Sequence, residues 1–366
     1  MSSRSSGRGT RVHGGSGLSA IRKIARNAEQ GDGRLRRSPR ILVHRRSTQS
    51  GLYARLRPSV RESLDGSGVA ARYNGLVSIV HDLTGTMAPT SSFDRLRTLC
   101  ADVGFDLERI RPSILDRMRL LAETTETVND CERAVRIANE VFRYYDVIEP
   151  LKRFTALERR IVVIGSIFSD IGKSGPAGAT LDGQHLVAEM FAVEGIVDER
   201  MSVARFFEVY FPADAAQRAR RFGALGLDPG MTMRGFWNLH SAWTLHVLQG
   251  DGVPMEAVPA AATHHILENV NPDSLVADDG RFTKYFGKHA SFERPEKLVI
   301  LLDKYDAALR RGHCTHDQAI ASLREVIAKN HRFRGDHGFL ELIEDLDDVM
   351  KVPEGARGSG RSPCVA

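Results

Sequence analysis

The residues of this 366-residue sequence that could do chemistry are histidines and acids that interrupt apolar segments. Residues 161–175 run Ile-Val-Val-Ile-Gly-Ser-Ile-Phe-Ser-Asp-Ile-Gly-Lys-Ser-Gly, an apolar helix that arrives at Ser169-Asp170, is stopped by Gly172 and is followed by Lys173. A carboxylate at the end of a buried helix needs a partner, because an unpaired buried charge is expensive; a metal or a lysine would serve. Thr263-His264-His265-Ile266-Leu267-Glu268 sets two adjacent imidazoles near the end of a helix that begins around Pro259. Neighbouring positions on a helix diverge by about 100°, so the pair suits two neighbouring metals, or one metal and one substrate group. In the segment after Pro295, Asp303 ends an unbroken apolar run and shares a helix face with Asp306, which predicts that Asp303 is buried and employed. His240, between Leu239 and Ser241, is expected near a helix start.

These groups must be positioned by helices. Stretches with a 3.6-residue apolar period cover 134–142, 156–168, 259–267, 295–309 and 317–327. The fold class expected is all-α: a helical bundle over 119–350, a small helical module over 51–118, a disordered basic arm over 1–50 and a loose tail over 351–366. Short helices in 51–118 are broken by Gly66-Ser67-Gly68 and by Met87-Ala88-Pro89. Residues 1–47 carry twelve Arg or Lys against Glu29 and Asp32, while the whole chain is +5, so residues 48–366 sum to about −5. The basic balance belongs to the arm, whose partner would be a nucleic acid or an anionic surface. No aromatic residue precedes Tyr53, which argues against a stacking platform for single strands.

No run of eighteen apolar residues occurs, so no membrane span is expected. Cys100, Cys131, Cys314 and Cys364 form no CxxC pair and are too few for a disulfide scaffold, which points to a reducing, cytoplasmic setting. There is no glycine-rich phosphate loop and no GxSxG elbow, so nucleotide-triphosphatase and serine-hydrolase readings have no foothold.

The order Asp170-Ile171-Gly172-Lys173, His240, His264-His265, then Asp303 with Asp306-Ala307-Ala308-Leu309 resembles the HD-domain metal-dependent phosphohydrolases, and within them the HD-GYP branch. The likeness spans roughly residues 120–345 and implies an all-helical fold. It implies one or two divalent metal ions, Mn, Fe or Mg, held by Glu126, Asp130, Asp170, His240, His264, His265 and Asp303, with Asp170 bridging. Lys173 would contact a substrate phosphate as a point charge, and Asp170 and Lys173 would be the catalytic pair. The substrate implied is a phosphorylated small molecule or nucleotide, a cyclic dinucleotide in the branch itself, with water attacking phosphorus in line.

The chain departs from the family pattern at several positions. Asp130 and Ser169 stand where the family has histidines, and the Gly-Tyr-Pro loop is absent, with Gly280 and Tyr285-Phe286-Gly287-Lys288 in its region. About 70 residues separate Asp170 from His240, longer than the family spacing, so an insertion is expected between Ser174 and Arg234. Aspartate for histidine exchanges an imidazole nitrogen for a harder oxygen ligand that still binds Mn, Mg or Fe, whereas the Ser169 hydroxyl is a weak ligand. Two further readings follow: a catalytically inactive HD module that senses a ligand or binds a partner, and an HD-fold diiron oxygenase. His185 and Glu268 are secondary ligand candidates. His81-Asp82 reads as an ordinary surface pair outside the matched order, and Trp237 and Trp243 read as core packing.

Overall fold

The computed structural model describes residues 91–196, 198–250, 252–283, 292–310 and 312–351. The arm over 1–50, His81-Asp82, residues 285–288 and the tail beyond 351 lie outside them. The described residues fall in the unit Thr86–Ala366.

Among the described residues twelve α-helices form: α1 Ser92–Asp102, α2 Pro112–Thr124, α3 Thr127–Val147, α4 Ala156–Phe168, α5 Leu181–Ala192, α6 Val203–Tyr210, α7 Ala215–Ala224, α8 Met233–Leu248, α9 Val258–Ala262, α10 Arg294–Arg310, α11 His316–Lys329 and α12 His337–Met350. Among the described residues there are no strands, only two isolated bridges, Ser202 with Thr232 and Val276 with Phe282. The all-α expectation therefore holds. Helix starts follow side-chain chemistry. Thr155 and Glu158 make a reciprocal capping box at α4, Thr315 and Gln318 repeat it at α11, and Ser202, Thr232 and Asp336 cap α6, α8 and α12.

The main core is built by α1–α4 and α9–α12, with Leu96, Ile114, Val135, Ile164, Leu301 and Leu342 all buried in one cluster. The boundary expected at 118/119 falls inside α2, and Leu96, Cys100 and Ile114 share that core with α3 and α4. Residues 91–118 are accordingly part of the bundle and not a separate module. The segment between Ser174 and Arg234, where an insertion is expected, folds as α5, α6 and α7. These pack Leu186, Met190, Phe206, Phe207 and Phe222 into a second cluster with Phe236 and Trp243 of α8. The far end of α8 gives Leu245, Val247 and Leu248 to the main core. Helix α8 is thus a wall common to both clusters.

Two glycines allow the close approaches on which the centre depends. At Gly165 of α4 an added Cβ would lie 2.9 Å from the Ala260 Cβ, so α9 packs against α4 without a gap. At Gly172 it would lie 2.0 Å from the His240 carbonyl oxygen and 2.7 Å from the Thr244 nitrogen, which only a residue without Cβ permits.

Two expectations are corrected. The helix from Pro259 ends at Ala262, and His264-His265 lie in the turn before a 3₁₀ segment Ile266–Glu268. The Thr263 hydroxyl donates to the Pro259 carbonyl at 2.7 Å and secures this early stop. His240 is in the middle of α8, not near its start.

Candidate metal centre

Three segments bring the ligand types together. Helix α4 ends at Phe168, and the chain turns through Ser169 and Asp170 into the 3₁₀ segment Ile171–Ser174. Thr244 of α8 stitches that turn down: its hydroxyl donates to the Ser169 carbonyl at 2.9 Å and accepts from the Gly172 N–H at 3.0 Å. One turn earlier on α8, His240 faces Asp170. The third segment is the turn after α9, whose 3₁₀ continuation is held by Asn330, donating to the Leu267 carbonyl at 3.2 Å.

The result is a buried group, Asp170, His240, His264 and His265, with one ligand atom of each within 4.8 Å of all the others. His240 Nε2 and His264 Nε2 are 3.0 Å apart, and Asp170 Oδ1 is 3.3 Å from the first and 3.5 Å from the second. The other ring nitrogens are already committed. His240 Nδ1 donates to the Trp237 carbonyl, and His264 Nδ1 donates to the Ala261 carbonyl at 2.7 Å. A carbonyl oxygen can only accept, so each neutral imidazole carries its proton on Nδ1 and turns an Nε2 lone pair inward. Asp170 Oδ1 is buried with no hydrogen-bond donor. Three acceptors therefore face one point, an arrangement that repels itself until a cation stands between them.

The spacing fits a metal ion. Donors about 2.1 Å from a shared centre sit about 3.0 Å apart in octahedral geometry and about 3.4 Å apart in tetrahedral geometry. The three distances above match that range. The residues present therefore fit a divalent cation, with Asp170, His240, His264 and His265 as its holders.

The surroundings tune these groups. Burial pushes the Asp170 carboxyl up, but the Lys173 ammonium, at 2.7 Å from Oδ2, leads what opposes it, and the carboxyl is held well below its usual range. Burial lowers His240, and burial with His264 and Lys304 takes His265 down to about 3, so both rings are neutral at pH 7. Behind the ring, His265 Nδ1 lies 2.6 Å from Glu268 Oε2 and 2.7 Å from the Lys304 ammonium, so this carboxylate and this cation together fix its orientation. Lys304 completes this layer at 3.0 Å from Glu268 and 3.1 Å from Asp303. Burial would raise both carboxyls, but His265 with Lys304 holds Glu268, and Lys304 with His265 holds Asp303, below the usual range.

On the other side of Asp170 is a small cavity of about 20 Å³, room for about one water. Its lining includes Asp130, Ser169, Asp170, Asp303, Asp306 and Arg310. Asp130 does not join the imidazole group. It is bound by Arg133 and, at 2.5 Å, by Arg310, and both arginines also bind Asp306. Burial leads the upward shift of the Asp130 carboxyl, with Arg310 and Lys173 opposing it. Cys131 borders the cavity, but burial keeps its thiol protonated and so a poor ligand.

The remaining sequence candidates are placed as follows. Glu126 is exposed at the start of α3, accepts from Asn129 at 2.7 Å, and lies outside both the ligand group and the cavity lining. It stands at the N-cap position of α3, makes no capping bond with its side chain, and faces solvent. Asp303 lines the cavity with Asp170 but is paired to Lys304. The Ser169 hydroxyl lines the cavity and donates to the Ser166 carbonyl at 3.0 Å, which leaves it a neutral oxygen and a weak ligand. His185 is half-buried on α5 and outside the group. Trp243 packs in the second cluster, as expected, and Trp237 supplies the carbonyl that fixes the His240 tautomer. Sequence reasoning missed Arg133, Lys304 and Arg310. The spacings Asp130 to Arg133 and Asp306 to Arg310, three and four residues on a helix, were the available signal.

No family model, no curated protein and no solved structure matches this chain.

Proposed function

We propose that this chain is a metal-dependent phosphohydrolase of the HD-domain type, acting on a phosphodiester or a nucleotide, with Asp170, His240, His264 and His265 holding a divalent ion such as Mn, Fe or Mg. The observation that carries the reading is the meeting of two imidazole lone pairs and a donor-free carboxylate oxygen at one buried point. When bound, such an ion supplies Lewis-acid polarisation of a phosphoryl oxygen and a nucleophile at neutral pH.

The chain's own groups then divide the work. Asp170 presents Oδ1 to the centre and keeps Oδ2 for Lys173. Lys173 is 15% exposed at the edge of the site, where its ammonium can meet a phosphate oxygen as a point charge. Glu268 and Lys304 together set the ring plane of His265, the most open of the three imidazoles, while His264 is fully buried and keeps bulk water from the inner wall. Arg310, at the cavity wall, offers a second fixed positive charge to an anionic substrate.

The test is metal analysis of purified protein together with hydrolysis of bis(p-nitrophenyl) phosphate and of cyclic dinucleotides after Mn or Fe is supplied. Asp170→Ala and His264→Ala are expected to lose bound metal and turnover together. Cleavage that survives in both variants would overturn the reading. A second reading, an HD-type module that binds a ligand or partner without turning it over, is favoured by Asp130 being taken up by two arginines and by Ser169 offering only a neutral hydroxyl. Stoichiometric metal with no cleavage of any phosphodiester would select it.

A further inference from the structure

The count of fixed charges around the centre bears on how many metal ions it takes, an inference that rests on the reading of this site as a metal centre. Five carboxylates lie in or against it: Asp130, Asp170, Glu268, Asp303 and Asp306. Four side-chain cations lie with them: Arg133, Lys173, Lys304 and Arg310. The ion pairs are specific. Arg133 and Arg310 each reach both Asp130 on α3 and Asp306 on α10, with Arg310 at 2.5 Å from the first and 3.4 Å from the second, and Arg133 at 3.1 Å from Asp306. Lys304 spans Glu268 and Asp303 at 3.0 and 3.1 Å. With neutral imidazoles the set carries one net negative charge. One dication brings it to +1, and a second would bring it to +3 inside a largely buried volume, where like charges are screened least.

We propose that the centre is mononuclear: a single divalent cation sits among Asp170, His240, His264 and His265, and the guanidinium groups of Arg133 and Arg310 stand in for a second one by bridging Asp130 and Asp306. A guanidinium suits that place. It presents several donors in a rigid plane, it stays charged at every working pH, and chelators do not remove it. The space left beside it, about 20 Å³ with Arg310 in its wall, takes a water and sets any added cation against a fixed positive charge. Ser169, whose hydroxyl proton goes to the Ser166 carbonyl, offers on that side only a neutral hydroxyl oxygen, a weak ligand.

The experiment loads the full-length chain with excess MnCl₂, removes free metal, and reads manganese per chain by plasma mass spectrometry and its coupling by electron paramagnetic resonance. One Mn per chain with an uncoupled six-line spectrum is expected. Two per chain with an exchange-coupled spectrum overturns the mononuclear assignment while leaving the metal centre standing; no bound metal overturns the metal centre itself, and this inference with it. The double variant Arg133→Gln/Arg310→Gln is expected to rise from one toward two, and Arg310→Lys, which keeps the charge, to remain at one. A folded double variant that still binds one overturns the role given to the arginines. The wild-type count decides the nuclearity whether or not that variant folds.

Discussion

His240 and His264 present their Nε2 atoms to each other because backbone carbonyls claim both Nδ1 protons, and this fixed tautomer serves binding at a cost to the metal-free fold. Two consequences are measurable at single residues. Glu268→Gln removes the charge behind His265 while keeping its shape, and the expected loss of Mn affinity is about 10–100-fold, read by titration calorimetry. The second is a pH dependence. The folded-state value of His265 is depressed to about 3 against an ordinary 6.5, and that of His240 is also lowered. Their contribution to stability is thus full above pH 6.5 and is lost as pH falls from there toward the folded values. The melting temperature of the metal-free chain should drop on acidification below pH 6.5, and His265→Gln should flatten that drop. Of the four side chains that meet at the centre, Asp170, His240, His264 and His265 are all legible in the sequence as polar groups that interrupt or end apolar segments, although His240 is placed too near a helix start. The arginines are not, because Asp130 and Arg310 are 180 residues apart and only the packing of α3 on α10 makes them neighbours.

At the scale of elements, the 3₁₀ turn Ile171–Ser174 against α8 is the most demanding contact in the site. Gly172→Ala places a methyl 2.0 Å from the His240 carbonyl, so the turn must lift from α8. A loss of about 3 kcal/mol or more is expected from urea unfolding, with metal binding lost in parallel because Asp170 leaves His240. Helix α12 carries a separate titration. Burial raises the Asp345 carboxyl to about 6, although the Tyr145 hydroxyl donates to it and draws it down. A carboxyl raised on folding contributes stability fully below its ordinary 3.8 and loses it as pH climbs through 6. Asp345→Asn keeps an acceptor for Tyr145, so the variant should gain stability relative to the parent as pH rises from 4 to 7, measured as the difference in melting temperature. Apolar periodicity located α4, α10 and α11 well. It ran past the end of α9, because Ala262 to Leu267 keeps an apolar rhythm while the Thr263 hydroxyl bonds back to Pro259 and ends the helix.

At the scale of the molecule, charge is divided unevenly along the chain. Residues 1–47 hold a surplus of ten positive charges over a remainder that is net negative. A chain beginning at Thr86, which contains the whole helical unit, should keep its helical circular dichroism and its metal, and should lose retention on heparin. In the full chain that retention should fall steeply with salt, as counterion release requires. No described helix is long and apolar enough to cross a membrane.

The double allegiance of α8 reaches beyond architecture. From Met233 to Trp243 it is anchored by the smaller cluster with the phenylalanines of α6 and α7, from Leu245 to Leu248 by the main bundle, and His240 lies within the first stretch. A sub-global opening that released only the smaller cluster would therefore withdraw one ligand and leave the other three in place, making α6 and α7 a latch on metal exchange. Amide protons of those two helices should exchange with deuterium faster in chelator-treated protein and slow as a group when manganese is restored, although neither helix contributes an atom to the ion.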